Sequence, residues 1–174
     1  MKIIYLPGNS VNNKIWIEKV KKKFDEFSEG EILNYDHWQN GEKFINMKKE
    51  AEKLAKIVED KNDYFVFAKS IGSVLALKSI YEGKLKAKKM IICGHPYRTL
   101  PNSDYLKFLK VPTVFIQNEF DPVYGFAELE RILREDGPSD YQIIKNEGTD
   151  THDYEDLEML SQTAKEFFND KIAY

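Results

Sequence analysis

The sequence predicts an α/β fold in which helices cover both faces of a mostly parallel β-sheet. The main observation is an alternation of six short β-rich runs with about six helical patterns. The second is that the 174 residues contain no internal repeat, low-complexity tract or linker-like stretch. Because a domain of about 150 residues is ordinary, we expect one domain over residues 1–174, a three-layer α/β/α sandwich.

The first half of the chain contains three strand patterns and three helical ones. The first apolar run ends at Pro7 and Gly8, which are strong turn residues. Two helical patterns repeat apolar residues every three or four positions. The third helix is apolar on most sides, which predicts that it lies centrally. The predicted strands are 2–6, 31–35 and 64–67, and the predicted helices are 14–27, 45–59 and 71–81.

The second half repeats the same alternation. Its strand patterns are short and rich in Ile, Val and Phe, and its last helix has a clear apolar stripe. Of the three helical patterns in this half, the first is a short helix at most and the second is ordinary in length. The predicted strands are 89–93, 113–117 and 141–144, and the predicted helices are 104–109, 126–133 and 156–168.

Ser70 follows the third strand directly and precedes the most apolar helix. Ligands of parallel α/β sheets bind at the carboxyl ends of the strands, so this junction is a natural place for chemistry. Ala68 and Gly72 are small, as a sharp strand-to-helix turn requires two positions either side of a nucleophilic serine. The first amides of the helix can stabilise negative charge. The alternative is that Ser70 merely caps the helix.

A nucleophilic serine needs a base, and the base needs an orienting acid. The histidines His37, His95 and His152 each follow a predicted strand. Asp121 follows the fifth strand, and with Ser70 and His152 it occurs in the chain order Ser, Asp, His. Glu119, two residues earlier, is the alternative acid.

The residues around Ser70, Asp121 and His152, in this order along the chain, resemble the α/β-hydrolase superfamily, and the resemblance covers nearly the whole chain. The similarity is greatest to the small, lidless serine hydrolases of the retinoblastoma-binding-protein-nine or YdeN-like type. The segments that carry it are Leu6-Pro7-Gly8-Asn9-Ser10, Ala68 to Gly72, Glu119-Phe120-Asp121-Pro122 and Gly148 to Asp153.

The resemblance implies a sheet with strand order 2-1-3-4-5-6 and assigns roles to five residues. Ser70 would be the nucleophile, Asp121 the orienting acid and His152 the general base. The backbone amides of Asn9 and Ile71 would form the oxyanion hole. Two departures from the family pattern occur: Ala68 stands where many members have glycine, and Pro7 stands where a histidine often precedes the glycine.

The connection from Gly94 to Val111 has room for little more than one short helix, whereas full-size members of the superfamily usually carry a lid there. We therefore expect a small roof over 95–109 and an open site suited to acyl groups of modest size. Trp38, His95 and Tyr97 are candidate pocket residues. For His95 a local hydrogen bond is an equal alternative, whereas for the aromatic segment at His37 and Trp38 packing is favoured over binding.

The amino-acid composition argues against two classes of binding partner. Lys+Arg is 26 and Asp+Glu is 29, so the net charge of −3 argues against a dedicated nucleic-acid or anionic-membrane surface. No apolar run is long enough for a transmembrane helix or a signal peptide, and the single cysteine, Cys93, excludes an internal disulfide. We expect a cytoplasmic protein that needs no metal or other cofactor.

Three function classes remain at this point. The first is a serine hydrolase that cleaves a small acyl ester, thioester or amide. The second is a non-catalytic, hydrolase-like binding module. The third is an acyltransferase that uses the same acyl-enzyme chemistry. The filled positions Ser70, Asp121 and His152 favour an enzyme, because a binding module would be free to lose them.

Overall fold

Six parallel strands form the central sheet in the computed structural model, which describes residues 2–58, 63–97 and 104–169. Each strand runs parallel to its neighbours. The spatial order is 2-1-3-4-5-6, which confirms the prediction. The strands are β1 (Ile3–Leu6), β2 (Gly30–Ile32), β3 (Tyr64–Lys69), β4 (Ala87–Cys93), β5 (Thr113–Asn118) and β6 (Tyr141–Asn146).

Helices cover both faces of this sheet and make the predicted three layers. The described helices are α1 (Asn12–Phe24), α2 (His37–Asn40), α3 (Met47–Ile57), α4 (Ile71–Tyr81), α5 (Asp104–Lys107), α6 (Phe126–Asp136) and α7 (Leu157–Phe168). Helices α1 and α7 pack on one face, and α3, α4 and α6 pack on the other. None of the described helices is long and apolar enough to cross a membrane.

The two cores follow from the alternation of side chains along each strand. In β1, Ile3 and Tyr5 point to the face of α1 and α7, whereas Ile4 and Leu6 point to the opposite face. All four are buried. This pattern of apolar residues on both faces is typical of a parallel strand covered by helices on both sides.

The second strand is shorter than the predicted 31–35, and that prediction was wrong in its extent. Pairing with β1 covers Gly30 to Ile32, and one further bond joins the Leu33 amide to the Tyr5 carbonyl at 3.0 Å. The chain then leaves the sheet because Tyr35 turns into the core, where its hydroxyl donates to the Pro7 carbonyl at 2.8 Å. The short helix α2, which the sequence pattern did not predict, begins just after it.

Capping residues explain where two other helices begin. The predicted helix 45–59 begins at Met47 because the Asn46 side chain accepts the Lys49 amide at 3.1 Å. The predicted helix 156–168 begins at Leu157, since Asp156 accepts the Met159 amide at 2.9 Å. Glu59 and part of the predicted roof over 95–109 lie outside the described residues. The connection between β4 and β5 is nevertheless too short for a large lid.

The start of α4 lies against the end of β1 at Gly72. A Cβ on this glycine would lie 2.0 Å from the Leu6 carbonyl oxygen and 2.6 Å from that of Pro7. Neither backbone group can move without disturbing the sheet or the loop that follows it. Only glycine fits here, whereas the spacing around Ser70 predicted no more than a small residue.

We therefore expect Gly72→Ala to lower the free energy of unfolding by about 1–3 kcal/mol or more, the usual cost of overpacking. Urea unfolding followed by circular dichroism measures this loss. The matched control is Gly125→Ala, where φ is −73° and the nearest atom to an added Cβ is 3.4 Å away. Equal stability of the two variants would contradict the close approach at Gly72.

Candidate active site

Ser70 occupies a strained turn between β3 and α4. Its backbone has φ 50° and ψ −123°, and it is the only non-glycine residue with a positive φ in the described part of the chain. The Ser70 amide donates to the Cys93 carbonyl at 2.9 Å, and its carbonyl accepts from the amide and the hydroxyl of Ser73 at 2.9 and 2.6 Å. Such a turn lifts a serine side chain above the carboxyl end of the sheet.

The loop after β1 lies beside this turn and is fixed by the segment that follows β2. The Asn9 carbonyl accepts hydrogen bonds from the ring nitrogens His37 Nε2 at 2.7 Å and Trp38 Nε1 at 2.9 Å. The Asn9 side chain donates to the Lys43 carbonyl at 3.0 Å and accepts the Ile45 amide at 2.9 Å. With its carbonyl and side chain both held, the Asn9 peptide has a defined orientation.

The amides of Asn9 and Ile71 are the candidate oxyanion donors. Ile71 is the first residue of α4, so its amide has no partner within the helix. In the described ranges neither amide donates to another protein group. Two free N–H groups beside Ser70 are what a developing oxyanion requires.

His152 and Asp121 form a buried hydrogen-bonded pair. Nδ1 of His152 lies 2.8 Å from Oδ2 and 3.0 Å from Oδ1 of Asp121, whose side chain is fully buried. A carboxylate only accepts hydrogen bonds, so Nδ1 carries the proton and Nε2 holds the lone pair of the neutral ring. This is the tautomer in which an imidazole can accept a proton from a serine.

The Asp121 carboxylate receives further hydrogen bonds. The Val123 amide donates to Oδ1 at 2.9 Å, and the Tyr154 hydroxyl donates to Oδ2 at 2.9 Å. Burial by itself would raise the pKa of Asp121. The hydrogen bond and charge of His152, together with the Val123 and Tyr154 donors, outweigh burial and hold the pKa of Asp121 below its usual value.

Asn118 holds the loop that carries His152, between β6 and α7, a role that the sequence analysis did not assign. Its Nδ2 donates to the carbonyls of Thr151 at 2.8 Å and Asp153 at 2.9 Å, the residues on either side of His152. Its Oδ1 accepts from Nδ2 of Asn146 at 2.8 Å, and the residue is fully buried at the end of β5. A buried amide at a strand end, three residues before the acid, was the available sequence signal.

Gly94 allows the imidazole ring to approach the end of β4. Its φ is +61°, and an added Cβ would lie 2.8 Å from Cε1 of His152. The preceding residue, Cys93, accepts the Ser70 amide, so the ring and the serine turn rest on consecutive residues. The structure thus brings His152 to the strained turn at Ser70, but no hydrogen bond joins the Ser70 and His152 side chains. Nε2 of His152 is buried and has no partner among the described residues.

A missing bond between serine and histidine is compatible with a triad awaiting its substrate. Such bonds are often long or poorly aligned before a substrate binds. The sequence predicts that His152 lies within hydrogen-bond reach of Ser70, at about 2.6–3.2 Å between heavy atoms or longer without a ligand, and this contact stays a prediction.

Glu119 does not take the place of Asp121. Its Oε2 accepts the Gly148 amide at 2.9 Å, and its Oε1 lies 3.4 Å from Nζ of Lys145. The Gly148 hydrogen bond, partly offset by burial and assisted by Lys145, lowers the pKa of Glu119. Glu119 therefore braces the turn after β6 and makes no hydrogen bond to an imidazole.

The three candidate pocket residues differ in their surroundings. Trp38 is half-buried and lines a small cleft of about 310 Å³ with Asn9 and His37. Tyr97 is half-buried and packs on Tyr124, with ring centres 5.9 Å apart. Residues 98–103, which follow Tyr97, lie outside the described ranges.

His95 lies beneath the serine turn, at 3% exposure. Its Nδ1 is 2.7 Å from the Ser73 hydroxyl. Because that hydroxyl donates its proton to the Ser70 carbonyl, both contacts are satisfied when Nδ1 donates to Ser73. Burial lowers the pKa of His95 to about 4, so the ring is neutral near pH 7. The structure favours the local hydrogen bond over a place in the pocket.

A larger cleft of about 630 Å³ runs between the start of α1 and the loop that carries His152. Its residues include Ser10, Asn13, Lys69 and Asp153. Of these, Ser10, Lys69 and Asp153 are direct sequence neighbours of candidate site residues. No group of three or more His, Cys, Asp or Glu side chains suited to a metal ion occurs in residues 2–58, 63–97 and 104–169.

Solved structures with this fold are numerous and distant in sequence. Est1E from Butyrivibrio proteoclasticus, solved with ferulic acid bound, matches with a TM-score of 0.78 at 13% identity, over 99% of this chain and 90% of that one. A serine hydrolase homologue from Coxiella burnetii matches with a TM-score of 0.70 at 18% identity, over 93% and 83%. The similarity establishes the α/β-hydrolase fold.

A third match has a longer chain. An uncharacterized protein from Bacillus cereus gives a TM-score of 0.72 at 18% identity; it covers 98% of this chain, which spans 60% of that protein. No protein-family model matches the sequence, and no curated protein matches it.

We predict that Asn118→Leu releases the histidine loop, because it removes both donors without opening a large cavity. The Nδ1 proton of His152, hydrogen-bonded to Asp121, should give a slowly exchanging downfield signal in the proton NMR spectrum. This signal should broaden or vanish in Asn118→Leu, and unfolding should become easier by about 1–3 kcal/mol, the cost of unpaired buried groups.

The matched control is Asn146→Ala, which removes only the partner of the Asn118 carbonyl oxygen. It should keep the His152 signal. The Trp38 Nε1 proton, bonded to the Asn9 carbonyl, serves as an internal reference that neither change should move. An unaltered His152 signal in Asn118→Leu would show that Asn118 does not hold the loop.

Proposed function

We propose that this chain, which has the α/β-hydrolase fold, is a serine hydrolase that cleaves a small acyl ester, thioester or amide. The observation that carries the proposal is the imidazole of His152. Asp121 fixes its tautomer at 2.8 Å, Cε1 of the ring lies against Gly94 beside the strained Ser70 turn, and Nε2 has no partner among the described residues. The esterase and serine hydrolase homologue among the fold's neighbours support the same reaction class.

The reaction begins with Ser70 Oγ attacking the acyl carbonyl carbon while His152 Nε2 takes the hydroxyl proton. The carbonyl oxygen becomes an oxyanion, and the amides of Asn9 and Ile71 donate hydrogen bonds to it. When the tetrahedral intermediate collapses, the bond to the leaving group breaks, and the leaving group takes the proton from His152. The acyl group is then bonded to Ser70.

Water completes the cycle by the same steps. His152 Nε2 removes a proton from a water molecule as its oxygen attacks the acyl-enzyme. The second tetrahedral intermediate collapses, the acid leaves and Ser70 regains its proton from His152. Asp121 stabilises the transient imidazolium throughout.

The strained turn also argues against a purely binding role. A non-glycine residue at φ 50° costs of the order of 1–3 kcal/mol, and such strain is concentrated at functional sites. A module that only binds has no use for a serine held in this way beside an unpartnered imidazole nitrogen.

We expect Ser70→Ala to abolish both fluorophosphonate labelling and ester hydrolysis while the melting temperature changes little. The reason is that only the attacking oxygen is lost. Ser139→Ala is the control, since Ser139 is exposed and precedes β6, at the opposite edge of the sheet. Activity surviving in Ser70→Ala would refute the mechanism, and failure of the native chain to label would favour the binding module.

The acid can be identified by a pair of amide substitutions. Asp121→Asn should lower turnover by roughly 10⁴, because an amide can hold the imidazole in the wrong tautomer. Glu119→Gln should leave turnover nearly unchanged, since Glu119 makes no hydrogen bond to His152. Hydrolysis of a p-nitrophenyl ester measures both. The opposite ranking of the two variants would transfer the role to Glu119.

A further inference from the structure

The 630 Å³ cleft is lined by sequence neighbours of three candidate site residues. Ser10 follows Asn9, Lys69 precedes Ser70 and Asp153 follows His152. Consecutive Cα atoms are only about 3.8 Å apart, so the backbone of these three site residues borders the cleft. The chemistry of the cleft therefore bears on which substrate the proposed hydrolase accepts.

The cleft contains a buried ammonium group. Lys69 belongs to β3 and lies on the same face as Phe65 and Phe67, at 3% exposure. Its Nζ is 2.9 Å from Oδ1 of Asn13 and stands 4.7 Å from the centre of the Trp16 ring. A lysine is rarely buried to this extent unless it is paired with an opposite charge.

The pairing of this ammonium is incomplete. Its carboxylate neighbour among the described residues is Asp153, at 3.5 Å, and the Asp153 side chain is 71% exposed. Burial lowers the pKa of Lys69, and the hydrogen bond and charge of Asp153, together with the charge of the more distant Asp121, only partly oppose that effect. An ammonium in a protein interior gains most from a close, desolvated carboxylate. Asn13 supplies a neutral oxygen, and Asp153 is neither close nor desolvated.

Helix α1 forms one wall of the cleft, and the N-terminus of this helix is also electropositive. Asn12 and Asn13 line the cleft, α1 has no side-chain N-cap, and its first turn has no acidic residue. The positive end of this 13-residue helix therefore adds to the charge of Lys69. Lys19 lies further along the same wall, whereas Asp153 and Glu155 stand on the opposite wall. A negatively charged group would consequently settle on the α1 side, at Lys69.

We propose that this cleft is a subsite for a carboxylate on the substrate and that Lys69 is the residue that selects it. The substrate class is thus an ester, thioester or amide that carries a carboxylate some carbon atoms from the reacting carbonyl. The carboxylate replaces the long contact to Asp153, while Asn13 stays bonded to Nζ. The selection of substrate rests on the proposed hydrolase function, but the binding of a carboxylate does not.

The first experiment compares two methyl esters with the unaltered chain. One is monomethyl glutarate, and the other is the methyl ester in which a neutral isopropyl group replaces the carboxylate. We expect kcat/KM to favour the glutarate ester by about tenfold or more, as for a hydrogen bond between charged groups. Equal rates, or a preference for the neutral ester, would overturn the proposal.

Lys69→Met tests the residue itself, since it keeps the length of the side chain and removes the charge. Replacing a buried charge with an apolar side chain is often neutral for stability, so this variant should fold. It should lose the preference, so that the ratio of the two kcat/KM values falls to about one, while its circular dichroism spectrum stays that of the native chain. Lys22→Met, an exposed change of the same charge further along α1, should keep the preference. Retention of the preference in Lys69→Met would overturn the assignment.

A binding measurement separates this proposal from the proposed function. Glutarate should shift the NMR signal of the Trp16 indole N–H saturably, compared with sodium chloride at equal ionic strength, and Lys69→Met should abolish the shift. If Ser70 is not labelled by fluorophosphonate but glutarate binds, the hydrolase function fails and the subsite stands. If Ser70 is labelled but glutarate does not bind, the subsite fails and the hydrolase stands.

Discussion

The contact between the end of β1 and the beginning of α4 sets the geometry of the whole catalytic edge. A Cβ added to Gly72 would lie only 2.0 Å from the Leu6 carbonyl oxygen, so the helix lies directly against the strand. Ser70 can therefore turn sharply out of β3, while the loop with Asn9 lies next to it. A larger residue at position 72 would push α4 away from β1. The candidate oxyanion donors on the two elements would then separate, because Ile71 belongs to α4 and Asn9 follows β1.

The second part of the site depends on satisfying buried polar groups rather than on close packing. Asp121 is buried as an anion because His152, Tyr154 and backbone amides donate to it. Asn118 pairs the carbonyls on both sides of His152, so the loop keeps its shape without a regular element. Each group has one arrangement in which all donors and acceptors are used. The His152 Nε2 atom remains outside this network and stays available to a substrate-bound serine.

Two other buried polar side chains, His95 and Lys69, differ in the groups that surround them. His95 is buried, neutral and bonded to Ser73, which in turn bonds to the Ser70 carbonyl; it supports the strained turn from below. Lys69 is buried as well, but it borders an open cleft and lacks a close carboxylate. The first is hydrogen-bonded to Ser73 beneath the turn, and the second is the group that we propose binds a carboxylate. Their exposures are equal, so their different roles follow from their surroundings.

The sequence by itself determined the fold class, the strand order through a family resemblance, and the segments that meet at the catalytic edge. The fold class and these segments follow from local periodicity and from the small residues near Ser70, which do not depend on distant contacts, whereas the strand order was implied by the resemblance alone. The choice of Asp121 over Glu119 was decided by tertiary structure, since both follow β5 and only their partners differ. The burial of His95, the end of β2 at Ile32 and the clamp by Asn118 were likewise decided there. Each of these depends on hydrogen bonds between residues far apart in the chain, and no local pattern records which partners a polar side chain will meet.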